Sequence, residues 1–200
     1  DRRPREAEFG RDVPAFQDVA TELGFARPSV GRVGWGFAVV DFDNDTHLDA
    51  FVTNGYTSPD YETTMLCQPQ APLLFHGDAS GAFRELTGTK YGSVLTRSWN
   101  GRGVATADAD RDGDLDLVVT QNNGEALVLR NDGGERSRWL QVDLEGVTSP
   151  RDAAGARVEV RLADRTLTRQ LFLGSSYLCT DSKTLAFGLG NALRYEDLTV

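Results

Sequence analysis

Asp108-Ala109-Asp110-Arg111-Asp112-Gly113-Asp114-Leu115-Asp116 is the more acidic of two runs with the pattern D-x-D-x-D-x-x-x-D. The other, Asp41-Phe42-Asp43-Asn44-Asp45-Thr46-His47-Leu48-Asp49, lies 67 positions earlier in the chain. Carboxylates at alternate positions of so short a loop repel one another unless a cation neutralises them. A hard divalent cation with six to eight oxygen ligands meets this need, and calcium fits best. The two runs therefore predict two Ca²⁺ sites.

The expected ligands follow the EF-hand spacing for positions 1, 3, 5 and 7, although an Asp at position 9 closes each loop instead of a Glu at position 12. Each predicted site uses four Asp side chains and one backbone carbonyl. These are Asp108, Asp110, Asp112 and Asp116 with the carbonyl of Asp114 in the second run, and Asp41, Asp43, Asp45 and Asp49 with the carbonyl of His47 in the first. Gly113 lies where the loop must turn with positive φ. Thr46 occupies the equivalent position, at a cost of roughly 1–2 kcal/mol, so the first site is expected to be weaker or bent differently.

The segments around both runs are short, apolar and rich in β-branched residues. They cover residues 37–40 and 48–53 around the first run, and residues 104–107 and 115–120 around the second. Such segments are typical of strands, and neither flank has the length or period of an EF-hand helix. The sequence predicts strand–loop–strand sites.

An internal repeat extends beyond the acidic runs. Residues 73–78 parallel residues 127–132 at an offset of 54, so the first copy has about 13 extra residues, which we place in a loop within residues 56–72. A repeat of four short strands is the pattern of a β-propeller blade.

These repeats resemble FG-GAP (VCBS-type) repeats, on the match of Gly34-Trp35-Gly36 and Gly101-Arg102-Gly103 leading into the acidic runs. The tail resembles the ASPIC/UnbV domain that follows such repeats in cartilage-acidic-protein-like proteins. The matching pieces are Trp139-Leu140-Gln141-Val142, residues 151–158, Tyr177-Leu178 and Phe187-Gly188-Leu189-Gly190.

The expected fold is all-β, with two propeller blades in residues 1–135 and a small antiparallel β sandwich or barrel in residues 136–200. The strand-like pieces of the second part are residues 140–144, 157–162, 166–173, 184–187 and 198–200. Two blades cannot close a propeller of four to eight blades. The resemblance implies further blades, so we expect the chain to be the C-terminal part of a larger propeller, completed by a second polypeptide or by a part removed by cleavage.

Charge and composition exclude several classes of function. The formal net charge is −9, and the two runs hold nine Asp residues, so two bound Ca²⁺ ions would leave −9 + 4 = −5. Without a basic stripe we expect no nucleic-acid partner. No stretch is long and apolar enough to predict a membrane span. Cys67 and Cys179 either pair or are two free thiols, and the sequence leaves both open.

The sequence leaves catalysis uncertain. His47, with its ring expected at solvent, and His76, expected in a surface turn, are poor catalytic candidates, and no hydrolase, zinc-protease or nucleotide-binding motif occurs. We expect Trp35, Trp99 and Trp139 to pack blades and the domain junction. The favoured function is a ligand- or partner-binding module, by analogy with propellers.

The resemblance also implies an alternative, because bacterial proteins of this type occur in enediyne-type natural-product pathways. There the chain would be a biosynthetic enzyme with a pocket for a small-molecule ligand. A purely structural calcium module is a third possibility. An extracellular or cell-surface location is favoured for a calcium module, and a cytoplasmic one for an enzyme.

Overall fold

A computed structural model describes residues 16–56 and 69–200 of the chain. They form twelve strands in four antiparallel sheets. The strands are β1 (Gly34–Val40), β2 (Asp49–Asn54), β3 (Leu73–Gly77), β4 (Phe83–Glu85), β5 (Gly101–Ala107), β6 (Asp116–Gln121), β7 (Leu127–Leu129), β8 (Arg138–Val142), β9 (Arg157–Arg161), β10 (Thr166–Gln170), β11 (Leu185–Gly190) and β12 (Asp197–Thr199). The all-β fold class is confirmed. Cys67 and most of the predicted 56–72 loop lie outside the described residues.

The first two sheets are the two predicted repeats. Strands β1-β2-β3-β4 form one antiparallel meander and β5-β6-β7 form the other. Both repeats have a register shift at the same place in the first strand, between Gly34 and Phe37 and between Gly101 and Val104. The acidic runs lie in the β1–β2 and β5–β6 connections, as the strand–loop–strand prediction requires.

The two sheets pack against each other through an apolar core. Its buried members are Ala38, Phe51, Trp99, Val104, Leu117 and Val119. The opposite face of the first sheet buries Phe75 and Leu73, on which Phe25 and Phe83 pack. Trp99 is buried between the sheets, as expected for a blade-packing residue.

The second repeat has one strand fewer than the four expected, because its sheet contains only β5, β6 and β7 among the described residues. After β7 the chain turns toward the first repeat. Asn131 donates a hydrogen bond to the Phe42 carbonyl (2.7 Å), and a 3₁₀ turn at Gly134–Arg136 then leads into β8. These tertiary contacts replace a fourth strand.

The remaining strands form two small sheets, β10-β9-β12 and β11-β8. Their shared core is aliphatic apart from one aromatic ring, and is formed by Val158, Val160, Leu162, Leu167, Leu171, Leu185, Phe187 and Leu189. Alternation along β9 buries Val158 and Val160 while Arg157, Glu159 and Arg161 lie on the other face. Two sheets facing one core make a sandwich, and the described strands do not close into a barrel.

Helical structure is limited to the short helix α1 (Ala26–Ser29) and three 3₁₀ turns within the described residues. None of the helices in that part of the chain is long and apolar enough to cross a membrane.

Candidate metal centre

Each acidic run brings three carboxylates together. Asp41, Asp43 and Asp49 each offer one oxygen within 4.8 Å of the others in the first loop (residues 41–49). The equivalent residues Asp108, Asp110 and Asp116 do the same in the second loop (residues 108–116). These are positions 1, 3 and 9 of both predicted sites.

The two loops share one internal hydrogen-bond framework. The first Asp of each loop accepts N–H groups from the residues four and five positions later. The last Asp of each loop accepts the N–H of the residue at position 2 of the same loop, and a second N–H from outside the loop. In the first loop the bonds are Asp45 N (3.0 Å) and Thr46 N (2.9 Å) to Asp41, with Phe42 N and Gly77 N (2.9 Å each) to Asp49. In the second they are Asp112 N (3.2 Å) and Gly113 N (3.0 Å) to Asp108, with Ala109 N (2.9 Å) and Asn131 N (2.8 Å) to Asp116.

The remaining predicted ligands lie in the loops but outside these two triads. Asp45 and Asp112 each accept the N–H two residues later, from His47 (2.8 Å) and Asp114 (3.1 Å). The buried Asp114 side chain accepts the N–H of Gly134 (2.9 Å), so it holds a neighbouring turn. The structure therefore leaves the carbonyls of His47 and Asp114 as predictions.

Two histidines differ from what the sequence indicated. The His47 ring lies beside Asp45 (Nδ1 to Oδ1, 3.1 Å) and Arg165 and is not fully in solvent. His76 lies in β3, with its Nε2 atom 3.3 Å from Asp43 Oδ2, and can join Asp43 and Asp45 around a cation. In the internal repeat His76 aligns with Arg130. This difference between the two copies was the only feature of the sequence that could have indicated a special role for His76.

Burial makes the first loop electrostatically unfavourable without a cation. It raises the pKa of Asp41 to about 7, an effect opposed by the Thr46 N–H and increased by neighbouring Asp45, Asp49 and Asp43. Burial likewise raises the pKa of Asp49 to about 6. The buried Oδ1 atom of Asp43 has no hydrogen-bond partner among the described residues. Carboxylates that are desolvated, mutually repelling and incompletely paired fit a divalent cation with oxygen ligands.

The two loops also contact each other. Asn44 is 2% exposed, and its Nδ2 donates to the carbonyls of Gly113 (3.2 Å) and Gly134 (3.1 Å). In the other direction Asn131 donates its side-chain amide to the Phe42 carbonyl and its backbone N–H to Asp116. Because these hydrogen bonds join the two loops directly, a conformational change in one loop is expected to affect the other.

The β8–β11 sheet lies against both loops. Gln141 donates to Asp108 Oδ2 (2.6 Å), and a Cβ on Gly113 would overlap the Trp139 ring. On the first loop the Gly190 N–H donates to the Asn44 carbonyl (2.8 Å), and Gly188 lies directly against Asp41 and Asn44. Trp139 thus packs at the junction of the repeats and the C-terminal sandwich, as expected.

Thr46 and Gly113 both have positive φ, 88° and 100°. This confirms the predicted turn, and a β-branched residue there costs roughly 1–2 kcal/mol.

We expect Thr46→Gly to tighten Ca²⁺ binding at the first loop several-fold, even though it removes the bond that Arg165 donates to Thr46 Oγ1 (2.7 Å). The reciprocal Gly113→Thr should weaken Ca²⁺ binding at the second loop for two reasons. The new side chain would overlap the Trp139 ring, and a β-branched residue is strained at positive φ. Titration calorimetry measures the Ca²⁺ affinity of both variants. An unchanged affinity in Thr46→Gly would exclude backbone strain at Thr46 as the cause of a difference in affinity between the two loops.

Comparison with known families defines the class of protein. Residues 64–119 match the model of the FG-GAP-like repeat, and residues 146–200 match the model of ASPIC and UnbV. The chain thus combines an FG-GAP-like repeat with an ASPIC/UnbV segment, and the resemblance seen in the sequence is confirmed. The matched repeat includes the second acidic loop. The first loop lies outside the match, so its equivalence rests on the shared hydrogen-bond framework.

The chain is also similar to curated proteins named cartilage acidic protein 1. The chain is 31% identical to human (Homo sapiens) cartilage acidic protein 1 over 82% of its own length, and 30% identical to the Xenopus tropicalis protein of that name over 88%. It is 27% identical to the mouse (Mus musculus) protein over 82% of its length. The matched segments cover only 21–26% of these relatives, so the chain spans about a quarter of their length or less.

Proposed function

We propose that one Ca²⁺ ion binds in each acidic loop, and that the chain is a calcium-stabilised binding module. The observation that carries the proposal is the duplicated geometry of the two loops. Each brings together carboxylates at positions 1, 3 and 9 on the same backbone framework. The ion would neutralise these carboxylates and join the two strands that each loop connects. The residues proposed to hold it are the five predicted in each loop.

Calorimetric titration of the metal-free chain with Ca²⁺ tests this directly. We expect two sites, with Asp41→Asn reducing the first and Asp108→Asn the second. Asp78→Asn is the matched control, because Asp78 lies in an exposed turn after β3 and bonds to Ser80. Affinity near that of extracellular calcium modules, Kd about 10⁻⁴–10⁻³ M, is the expected range. Heat of binding that survives both Asn variants together would exclude these loops as the sites.

We further propose that additional blades pack on the β1 face of the first sheet, supplied by a second polypeptide or by a longer form of this chain. Support comes from Phe37 and Val39, which are 51% and 46% exposed on β1, an edge strand of the first sheet. Exposed apolar side chains on a sheet face mark a packing surface.

Phe37→Ser with Val39→Ser should improve solubility of the isolated chain and abolish association with any blade-containing partner. Intact mass and size-exclusion chromatography of purified material would reveal such a partner, and a stable, monodisperse monomer would count against it.

A small-molecule ligand is supported by a cleft of about 460 Å³ between β1 and the C-terminal sandwich. Leu48, Leu171 and Phe172 give it apolar walls, and Arg169 contributes a cation. Its volume is within the range of ligand sites. The biosynthetic-enzyme alternative draws on the same cleft, and turnover of a bound molecule is the property that distinguishes it from a binding module.

A further inference from the structure

The C-terminal sandwich reaches a predicted calcium ligand through one polar side chain. Gln141 projects from β8, and its Nε2 donates to Asp108 Oδ2 at 2.6 Å. The same oxygen accepts the Gly113 N–H at 3.0 Å. Two donors on one carboxylate oxygen fix the orientation of the group, and a hydrogen bond to an ionised acceptor is stronger than one between neutral groups.

Trp139, two residues earlier on β8, covers the turn of the same loop. A Cβ on Gly113 would overlap the indole ring, so the ring lies directly on the backbone at the position of positive φ. Trp139 is 41% exposed as a whole residue, and because its ring contacts Gly113 its environment responds to movement of the loop.

The partner strand of β8 holds the other loop by a different means. Gly188 of β11 pairs with Trp139 in the sheet register, and it is also the residue that abuts Asp41 and Asn44. The β8–β11 sheet therefore spans both loops, using side chains on the second and backbone on the first.

We propose that Gln141 and Trp139 are positioning residues of the second calcium site, so that seating of the β8–β11 sheet and binding of Ca²⁺ in residues 108–116 strengthen each other. The inference rests on the proposed calcium binding and adds a residue outside the acidic loop to it. Partners that orient a metal ligand commonly affect affinity as much as tenfold or more. Linkage requires reciprocity, so a sheet that tightens the site must itself be held more firmly when Ca²⁺ is bound.

Terbium luminescence provides a site-specific test, because Tb³⁺ replaces Ca²⁺ at oxygen sites and nearby tryptophan sensitises its emission. Trp139→Phe should remove most of the sensitised emission from the second loop, and the smaller ring on Gly113 should also lower the affinity of this loop for Ca²⁺ in calorimetry. Gln141→Met keeps the length of the side chain without the donor, and we expect it to weaken Tb³⁺ and Ca²⁺ at this loop by about three- to tenfold. The matched control is Gln170→Met, whose amide donates to the Gly155 carbonyl in the same sandwich (3.2 Å) and should leave affinity unchanged.

A second variant tests the contact between residue 141 and Asp108. Gln141→Glu has nearly the same shape but replaces the donor by a like charge beside Asp108. It should lower the melting temperature without Ca²⁺ and enlarge the rise on adding Ca²⁺, whereas an unchanged rise would place residue 141 too far from the ion to position its ligand. Far-UV circular dichroism confirms that each variant is folded before titration.

The outcomes distinguish the two proposals. If neither wild type nor variants bind Ca²⁺, the proposed calcium function fails, and this inference fails with it. If wild type binds Ca²⁺ but Gln141→Met binds equally well, and Trp139 fluorescence does not change on titration, the positioning role alone is overturned.

Discussion

Removing Ca²⁺ with EDTA at pH 8 should lower the melting temperature by about 10 °C or more, and moving the metal-free protein to pH 5 should recover part of the loss. The physical cause is the buried pair Asp41 and Asp49, whose pKa values rise from 3.8 to about 7 and about 6. Because these pKa values are higher in the folded state, the metal-free fold holds their protons more tightly than the unfolded chain does. The stability they contribute is complete below about pH 4 and is lost as pH rises through 6 to 7.

Ca²⁺ bound as proposed should reverse this dependence, since it would bind the ionised carboxylates and compete with protons. Differential scanning calorimetry between pH 5 and pH 8, with EDTA or with saturating Ca²⁺, measures both arms. Asp41→Asn supplies the control: a neutral side chain of the same shape should flatten the metal-free pH dependence and reduce the gain from Ca²⁺. Equal melting temperatures with and without Ca²⁺ at pH 8 would show that the loops fold without a cation.

Gly188→Ala is expected to cost at least about 3 kcal/mol in the free energy of unfolding, a large loss for one methyl group. The added Cβ would meet Asp41 Oδ2 and lie 2.5 Å from Asn44 Cα and 2.6 Å from Asn44 C, where only backbone movement can relieve the contact. Gly174→Ala adds the same methyl group in the same part of the chain, but its Cβ meets nothing within 4 Å. Urea denaturation of the two variants compares them directly.

The Gly188 substitution should also weaken Ca²⁺ at the first loop, because it would displace Asp41, one of the proposed ligands. A Gly188→Ala protein as stable as Gly174→Ala would mean that the β11 strand adapts without disturbing the loop. If Gly188→Ala lost stability without losing Ca²⁺ affinity, the contact between Gly188 and the first loop would contribute to packing alone and not to metal binding.

Much of the fold could be predicted from local sequence. Short β-branched segments with alternating burial gave the strands, and the two D-x-D-x-D-x-x-x-D runs placed both loops in equivalent hairpins. Strand β9 alternates so regularly that its buried residues are evident from the sequence. The positive φ at Thr46 followed from its alignment with Gly113.

The tertiary features could not be predicted in this way. Gln141, Gly188 and His76 contact the acidic loops from distant parts of the chain, and none lies in a motif that indicates a metal. The second repeat has three strands among the described residues for the same reason, because Asn131 bonds to the first repeat instead of continuing a ladder. Only long-range packing determines these contacts.

The Asn44 side chain makes the two repeats distinguishable despite their shared framework. Its repeat counterpart is Arg111, and both residues have positive φ, 56° and 66°. Asn44 donates to the carbonyls of Gly113 and Gly134 from a position where it is 2% exposed, and a guanidinium, although it is also a donor, is too large for that buried space. The order of the repeats is therefore encoded in the loops themselves. Exchanging residues 41–49 with residues 108–116 would preserve the acidic pattern and still produce a mismatched joint, so these blades are not modules that can be shuffled.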